Sequence, residues 1–315
     1  MSCLLVSGAA IAAYGFGEGH PFGLDRHDAF MAEVRNSAAF AKLSHAAPRR
    51  ASRQELEYFH ARDYVDRVAN AAAGRGPAYL DGGDTPAFPG VYDVARDVVG
   101  ASLVAAEALL SAEVAAAFVP IAGLHHAARD SAAGFCVFND CAIAIEYARR
   151  VHGLTKIAYV DIDAHHGDGV FYGFESDPGV IFADIHEDGR YLYPGTGARH
   201  ETGRDAAEGT KLNLPLPPGA DDAAFMAVWP EVEAHLRAHE PQFVILQCGA
   251  DSIAGDPITH LAFSEQAHYH AATRLMALGS ELDCRGLLAL GGGGYNRTNL
   301  ARGWTRVVEA LTAVG

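Results

Sequence analysis

Basic residues are scarce in this chain of 315: 24 Lys and Arg stand against 39 Asp and Glu, a formal net charge of −15 at pH 7. Non-specific nucleic-acid binding needs basic surface to neutralise phosphates, so this balance argues against it and mildly favours cationic substrates. Disulfide signals are missing too. The five cysteines, Cys3, Cys136, Cys141, Cys248 and Cys284, are widely spaced with no CxxC pair, which suits reduced thiols in a cytosol better than a disulfide framework. No apolar run reaches the roughly 18 to 20 residues of a membrane span. The opening Met1 to Gly8 lacks the basic stretch of a signal peptide, and its apolar run fits a first strand. A soluble, cytoplasmic protein without membrane or nucleic-acid partners is expected. There is also no linker, internal repeat or low-complexity segment. Half the residues are hydrophobic and 20% charged, enough for a sizeable core.

What is present alternates between strand and helix patterns from end to end. Residues 1–315 are therefore expected to form a single α/β domain with a central, mostly parallel sheet and helices on both faces. Apolar runs at Ala115 to Ile121, Lys156 to Val160, Val180 to Ala183, Leu212 to Leu216, Phe243 to Gln247 and Gly286 to Leu290 read as strands. Helical spacing predicts helices from Asp28 to about Ser44, from Val91 to about Val114, from Phe138 to His152 and over residues 221–239. Ser52 to Glu55 is a capping-box pattern opening another helix, with Leu56 and Phe59 on its apolar side. Residues 74–90 are too rich in Gly and Pro for regular structure, and a loop this long in a compact domain is often functional. Several strands end in polar or glycine-rich loops. In parallel α/β sheets such loops converge at the carboxyl ends of the strands and build sites there.

The polar clusters all fall at those ends. Asp161, Asp163 and His165 follow the Lys156 strand, and alternation in an extended chain would put the three on one face. Buried, unpaired charges cost several kcal/mol, so a divalent metal explains the cluster best. Asp163 and His165 are candidate ligands, with Asp251, after the Phe243 strand, as a third. Such a set leaves a zinc ion an open position for water and substrate, while iron suits the same ligands. Alternation points His166 elsewhere. His125 and His126 end a strand expected beside the metal strand, and Asp161 and Asp168 are free to orient one imidazole each. That would give two differently tuned His and Asp pairs for acid and base work. Gly291 to Gly294 lack the spacing of a nucleotide loop and instead permit a tight backbone that aims Tyr295 at a developing oxyanion. Phe135 and Tyr193 are expected as walls of a narrow slot, the alternative being core aromatics. Cys136 is assigned to packing, since a metal-activated water makes a thiol nucleophile unnecessary.

These pieces resemble the zinc-dependent histone deacetylase family of the arginase/deacetylase superfamily. The matching segments are His125-His126, Gly134 to Asp140, Asp161 to Gly169, Tyr193 to Gly197, Gly249 to Pro257 and Gly291 to Tyr295, in the family's order and over most of the chain. The length is similar to bacterial members such as acetoin-utilisation-type deacetylases and acetylpolyamine amidohydrolases. The resemblance implies one deacetylase catalytic domain with zinc on Asp163, His165 and Asp251. It further implies Asp161 behind His125, Asp168 behind His126, His126 as general base and acid, and Tyr295 polarising the acyl carbonyl. Phe135 and Tyr193 match channel aromatics, although Phe is common at the second position. Gly134, Gly293 and Ile258 fall among substrate contacts, and Asp84 matches a rim aspartate that grips the substrate backbone. Arg26 corresponds to an arginine deep in the site. A structural potassium ion is implied beside Asp161, Asp163 and carbonyls around His165, where Asp184 stands in place of a common serine.

The implied reaction is zinc-dependent hydrolysis of N-acyl amides, deacetylation or short-chain deacylation, through a metal-activated water. The substrate is an acyl-lysine peptide or a small acylated amine. Ile258, apolar as in many lysine deacetylases, favours acyl-lysine; the acidic net charge favours acetylpolyamines. A di-manganese ureohydrolase is less favoured, because the extra carboxylates for a second metal are not evident in this sequence. A non-catalytic acyl-lysine-binding module should have lost a catalytic part, yet all are present.

Overall fold

A computed structural model describes residues 3–17 and 19–313. Among the described residues, eight strands form one sheet: β1 Cys3–Val6, β2 Leu43–Ala46, β3 Ala116–Val119, β4 Ile157–Asp161, β5 Val180–Glu187, β6 Lys211–Leu216, β7 Phe243–Gln247 and β8 Leu287–Leu290. Their order is β2-β1-β3-β8-β7-β4-β5-β6, and every neighbouring pair is parallel. The six strands β1, β3, β4, β5, β7 and β8 are buried along their whole length, which is why they read as continuous apolar runs and not as alternating ones.

Ten helices accompany the sheet among the described residues: α1 Ala9–Ala12, α2 Arg26–Val34, α3 Arg53–Leu56, α4 Arg62–Ala72, α5 Val91–Leu110, α6 Asp140–His152, α7 Asp168–Gly173, α8 Asp222–His239, α9 Glu265–Glu281 and α10 Arg297–Ala313. α10 packs on α2 and α9 and buries Trp304 against Phe30 and Phe118. The indole N–H of Trp304 donates to the carbonyls of Gly291 (2.9 Å) and Cys248 (3.2 Å), tying this helix to the loops that follow β8 and β7. No described helix is long and apolar enough to cross a membrane.

Three expectations change. The strand that leads to the histidines, β3, does not lie beside β4; β8 and β7 separate them. The helix from Asp28 to Ser44 stops at Val34, and a 3-10 turn then leads into the edge strand β2. There Asn36 Nδ2 donates to the Ala32 carbonyl and Ser37 Oγ accepts the Ala39 N–H, the usual way such residues compete with helical bonding. The capping box at Ser52 and Glu55 forms with both reciprocal bonds, but α3 is one turn long and a new helix begins at Arg62. α7, α9 and α10 were not anticipated. α6 begins at Asp140 because Asn139 caps it, its Oδ1 accepting the Ala142 N–H at 2.9 Å.

Candidate active site

The floor lies where β3, β8, β7 and β4 end, the central four strands of the sheet. β4 stops at Asp161, and the chain bends through Ile162 to His165, so strict alternation fails just where the cluster begins. The acids and the histidine still converge, because backbone amides hold them. Asp161 Oδ1 accepts the Asp163 N–H at 3.0 Å, and Asp163 Oδ1 accepts the His165 N–H at 3.0 Å. Asp163 Oδ2 accepts from Gln247 Nε2 and from the Gly293 N–H, both at 2.9 Å. Asp251 arrives on the loop after β7, where its Oδ1 accepts the Ala164 N–H at 2.9 Å.

Asp163, His165 and Asp251 offer ligand atoms within 4.8 Å of one another, all buried. His165 Nδ1 lies 3.0 Å from Asp163 and 3.2 Å from Asp251. Asp251 Oδ2 is buried and makes no well-aligned hydrogen bond, with the His165 ring 3.2 Å away, the state expected of an oxygen available to a cation. A Cβ at Gly293 would stand 2.0 Å from that oxygen, so only glycine lets the loop approach this closely. Burial and the neighbouring Asp163 push the Asp251 carboxyl up to about 7. Burial would lower the His165 imidazole, yet Asp163 and Asp251 together raise it to about 10. The cluster thus has one cation too few, and a proton on His165 makes up the difference. Two carboxylates and an imidazole fit zinc, which would displace that proton and leave the ring neutral.

The tandem histidines reach this floor by a strained loop. Ile121 and Gly123 have φ of 67° and 92°. The start of α6 holds the loop: Asp140 accepts the N–H groups of Gly123 and Leu124, at 3.1 and 2.8 Å, and Asn139 Nδ2 donates to the carbonyls of His125 and Ala127. Gln247 bridges the gap between β3 and β4, donating to the Gly123 carbonyl as well as to Asp163. His125 Nδ1 then pairs with Asp161 and His126 Nδ1 with Asp168, both at 2.7 Å. Tyr159 also donates to Asp161, at 2.6 Å. The two Nε2 atoms are 3.1 Å apart, room for one shared proton and not two. Burial lowers His125, but Asp161 and Asp163 overcome it and raise the ring to about 10. Burial and then the His125 charge depress His126 to about 4, against the pull of Asp168. His125 therefore carries the charge and turns its Nε2–H toward the Nε2 of a neutral His126, the one unprotonated nitrogen of the pair.

Above the floor, a cavity of about 250 Å³ is lined by Asp84, Phe135, Tyr193, Ile258 and Tyr295, with His126 and His165 at its base. Phe135 stands edge-on to Tyr295 at 5.8 Å, and Tyr193 edge-on to His126 at 5.2 Å. Gly134 sits so close under His126 that a Cβ would meet its ring at 2.4 Å. Burial, then Asp251 and Asp163, hold the Tyr295 phenol well above its ordinary value, so it stays a donor. The Tyr295 N–H is bonded to Asp256, which also accepts the Ile258 N–H.

The remaining expected residues have other partners. The Gly293 amide, expected among substrate contacts, is taken by Asp163. His166 stands outside the triad with Nδ1 on Thr196 Oγ1 at 2.8 Å. Arg26 is buried, donating to the carbonyls of Gly292 and Gly294 at 2.7 and 2.9 Å. Asp184 is engaged on both oxygens, by His186 Nδ1 at 2.7 Å and the Gly167 N–H at 2.9 Å. Cys136 is buried with its thiol pushed well up by burial, a poor nucleophile. Asn139, Asp140, Gln247, Tyr159 and Asp256 had no role in the sequence reading. Only Asn139-Asp140 ahead of an apolar helix carried a usable signal, as a helix start.

A family model described as histone deacetylase domain matches residues 20–311. The chain is similar to the acetoin utilization protein AcuC of Bacillus subtilis (strain 168), with 37% identity over 303 residues, 93% of this chain and 78% of that protein. It is also similar to histone deacetylase RPD3 of Saccharomyces cerevisiae, 30% identical over 308 residues that cover 94% of this chain and 68% of that one. Among solved structures, it matches the crystal structure of the HDA15 HD domain with a TM-score of 0.90 and 27% identity, covering 99% of this chain and 89% of the other.

Proposed function

The chain belongs to the histone deacetylase family, and on that premise we propose that it removes acetyl groups from lysine side chains in peptides or proteins, with zinc held by Asp163, His165 and Asp251. Bound there, zinc would polarise the amide carbonyl and acidify the attacking water. The observation that carries the reading is one cavity above the triad, lined by both a neutral His126 and a protonated Tyr295.

His126 Nε2 accepts the proton of the attacking water, while Asp168 on Nδ1 stabilises the imidazolium that forms. His125, charged and anchored by Asp161, lowers the energy of negative charge growing beside it. Tyr295 donates its hydroxyl hydrogen to the carbonyl oxygen as that charge develops, an effect usually worth about 10² to 10³ in rate. His126 then returns its proton to the departing amine. Phe135 and Tyr193 flank the apolar stem of the lysine, and Ile258 keeps the mouth apolar on one side. Arg26, which burial lowers only to about 10, stays a cation behind Tyr295 and suits an acetate product. All five cysteines are free, which suits the cytoplasmic setting we propose.

The exposed Asp84 at the mouth and the net charge of −15 favour one second reading, an acetylated polyamine. Turnover of acetyl-lysine peptides, longer acyl-lysines and acetylputrescine separates them. The acetyl-lysine peptide is expected to have the highest kcat/KM; a strong preference for acetylputrescine would overturn the choice of substrate.

A further inference from the structure

The loop over residues 74–90 should be the least ordered part of the site, since Gly82 and Gly83 have open space around them and glycine has the most conformational freedom to lose. One side chain counters this. Asp81 Oδ1 accepts the N–H groups of Gly83, Asp84 and Thr85, each at 2.9 Å, and Oδ2 accepts the Thr85 hydroxyl. An aspartate closing its own turn is ordinary. Here the bonds continue into the cavity wall. Thr85 Oγ1 accepts the N–H of Phe135 at 3.1 Å, and Phe135 has a φ of 69°, a conformation that a bulky residue holds only when its surroundings impose it. On its other side, the Phe135 carbonyl accepts the Tyr14 hydroxyl at 2.7 Å.

His20 closes a second link. Its Nδ1 accepts the Phe22 N–H at 3.1 Å, so its Nε2 carries the hydrogen and donates to the Asp84 carbonyl at 3.0 Å. The same ring stands edge-on to Phe135 at 4.6 Å. Asp84 thus has its N–H held by Asp81 and its C=O held by His20, and the residue lines the cavity. Burial would raise the Asp81 carboxyl, but the Thr85 hydroxyl and the three amides hold it below the usual range, so it accepts these bonds as an anion near neutral pH.

We propose that Asp81 is a positioning residue for substrate recognition, holding Asp84 at the rim and Phe135 in the channel wall in one fixed arrangement before substrate arrives. The inference rests on the acetyl-lysine reading above. Ordering the loop in advance removes an entropy cost from binding, and that cost falls on substrates whose peptide backbone reaches Asp84. A short acetylated alkylamine, with neither a peptide backbone nor a second amine, makes no contact with it.

The test compares an acetyl-lysine peptide with a backbone-free acetylated alkylamine, using the metal-loaded full chain. Asp81→Ala is expected to raise KM for the peptide about 10-fold with kcat changed far less, and to alter KM for the alkylamine less than about 3-fold. Asp81→Asn, which can still accept the amides, should recover most of the peptide KM. In a double-mutant cycle, Asp81→Ala should add less than about 3-fold to Asp84→Ala, the part that passes through Phe135, because its larger effect on the peptide passes through Asp84. Thr85→Val serves if Asp81→Ala does not fold; it leaves the three amide bonds and cuts the link to Phe135, and should raise KM for both substrates. An unchanged peptide KM or equal losses on both substrates in a folded Asp81→Ala, fully additive effects of Asp81→Ala with Asp84→Ala, or a Thr85→Val variant that behaves as wild type would overturn the proposal. A wild-type chain that hydrolyses neither substrate would overturn the functional reading instead, so the two failures are distinguishable.

Discussion

At the floor of the site, Asp161, Asp163, His165 and Asp251 are buried and hang from the ends of parallel strands. At the rim, Asp84 and Tyr193 are exposed and sit on loops, with Ile258 half-buried on a third. Both regions are rich in acid, but they solve different problems. Floor charges are expensive to bury and survive because amides and histidines compensate their oxygens, which is also where we propose the metal binds. Rim charges stay in water and cost little. Their difficulty is mobility, and side chains such as Asp81 that tie up loop amides answer it. The division implies that floor substitutions act on metal content and kcat, and rim substitutions on KM.

Removing a ligand should have the largest effect. Asp251→Ala is expected to reduce bound zinc to a small fraction of a mole per mole of chain by elemental analysis, with activity lost in parallel, since a metal site short of one ligand loses most of its binding energy. Full zinc in this variant would detach Asp251 from the floor. Next in size, Tyr295→Phe should retain zinc and lower kcat by about 10² or more with KM little changed. Asp168→Asn should follow, costing about 10-fold or more. It also moves the pH profile. Asp168 is the group that raises His126 against burial, so its removal must lower that ring's pKa further and shift the acid limb of kcat/KM to lower pH; a shift upward would contradict the pairing. The smallest effect belongs to the rim, where Asp84→Ala should raise KM for a peptide about 10-fold and spare kcat. A kcat loss at Asp84 as large as that at Tyr295 would erase the distinction between floor and rim.

The two regions also differ in how far the sequence exposes them. Floor residues stand out because charged side chains directly after an apolar strand are costly unless they do something. Asp161, Asp163, His165, the tandem histidines and Asp251 were legible on that ground. The fully buried strands were legible as uninterrupted apolar runs, while β2, a half-exposed edge strand reading Leu-Ser-His-Ala, carried no such mark. Strand order was not legible. Adjacency of β3 and β4 was the simplest guess, and nothing local reveals that β8 and β7 come between or that Gln247 spans the gap. At the rim, Tyr193 was legible as a wall aromatic and residues 74–90 as a loop apt for function, Asp84 and Ile258 only through resemblance, and Asp81 not at all. Its function depends on which amides point at it, and these are set by a loop whose composition specifies no regular structure.

The central claim is that a neutral His126, held by Asp168 and set beside a charged His125, supplies the proton transfer. Its most direct test is kcat for acetate release from an acetyl-lysine peptide by wild type and His126→Ala, with zinc measured in both. The account predicts one zinc per chain in each and a kcat lower by at least about 10² in the variant. Near-normal kcat in His126→Ala with zinc retained would contradict it.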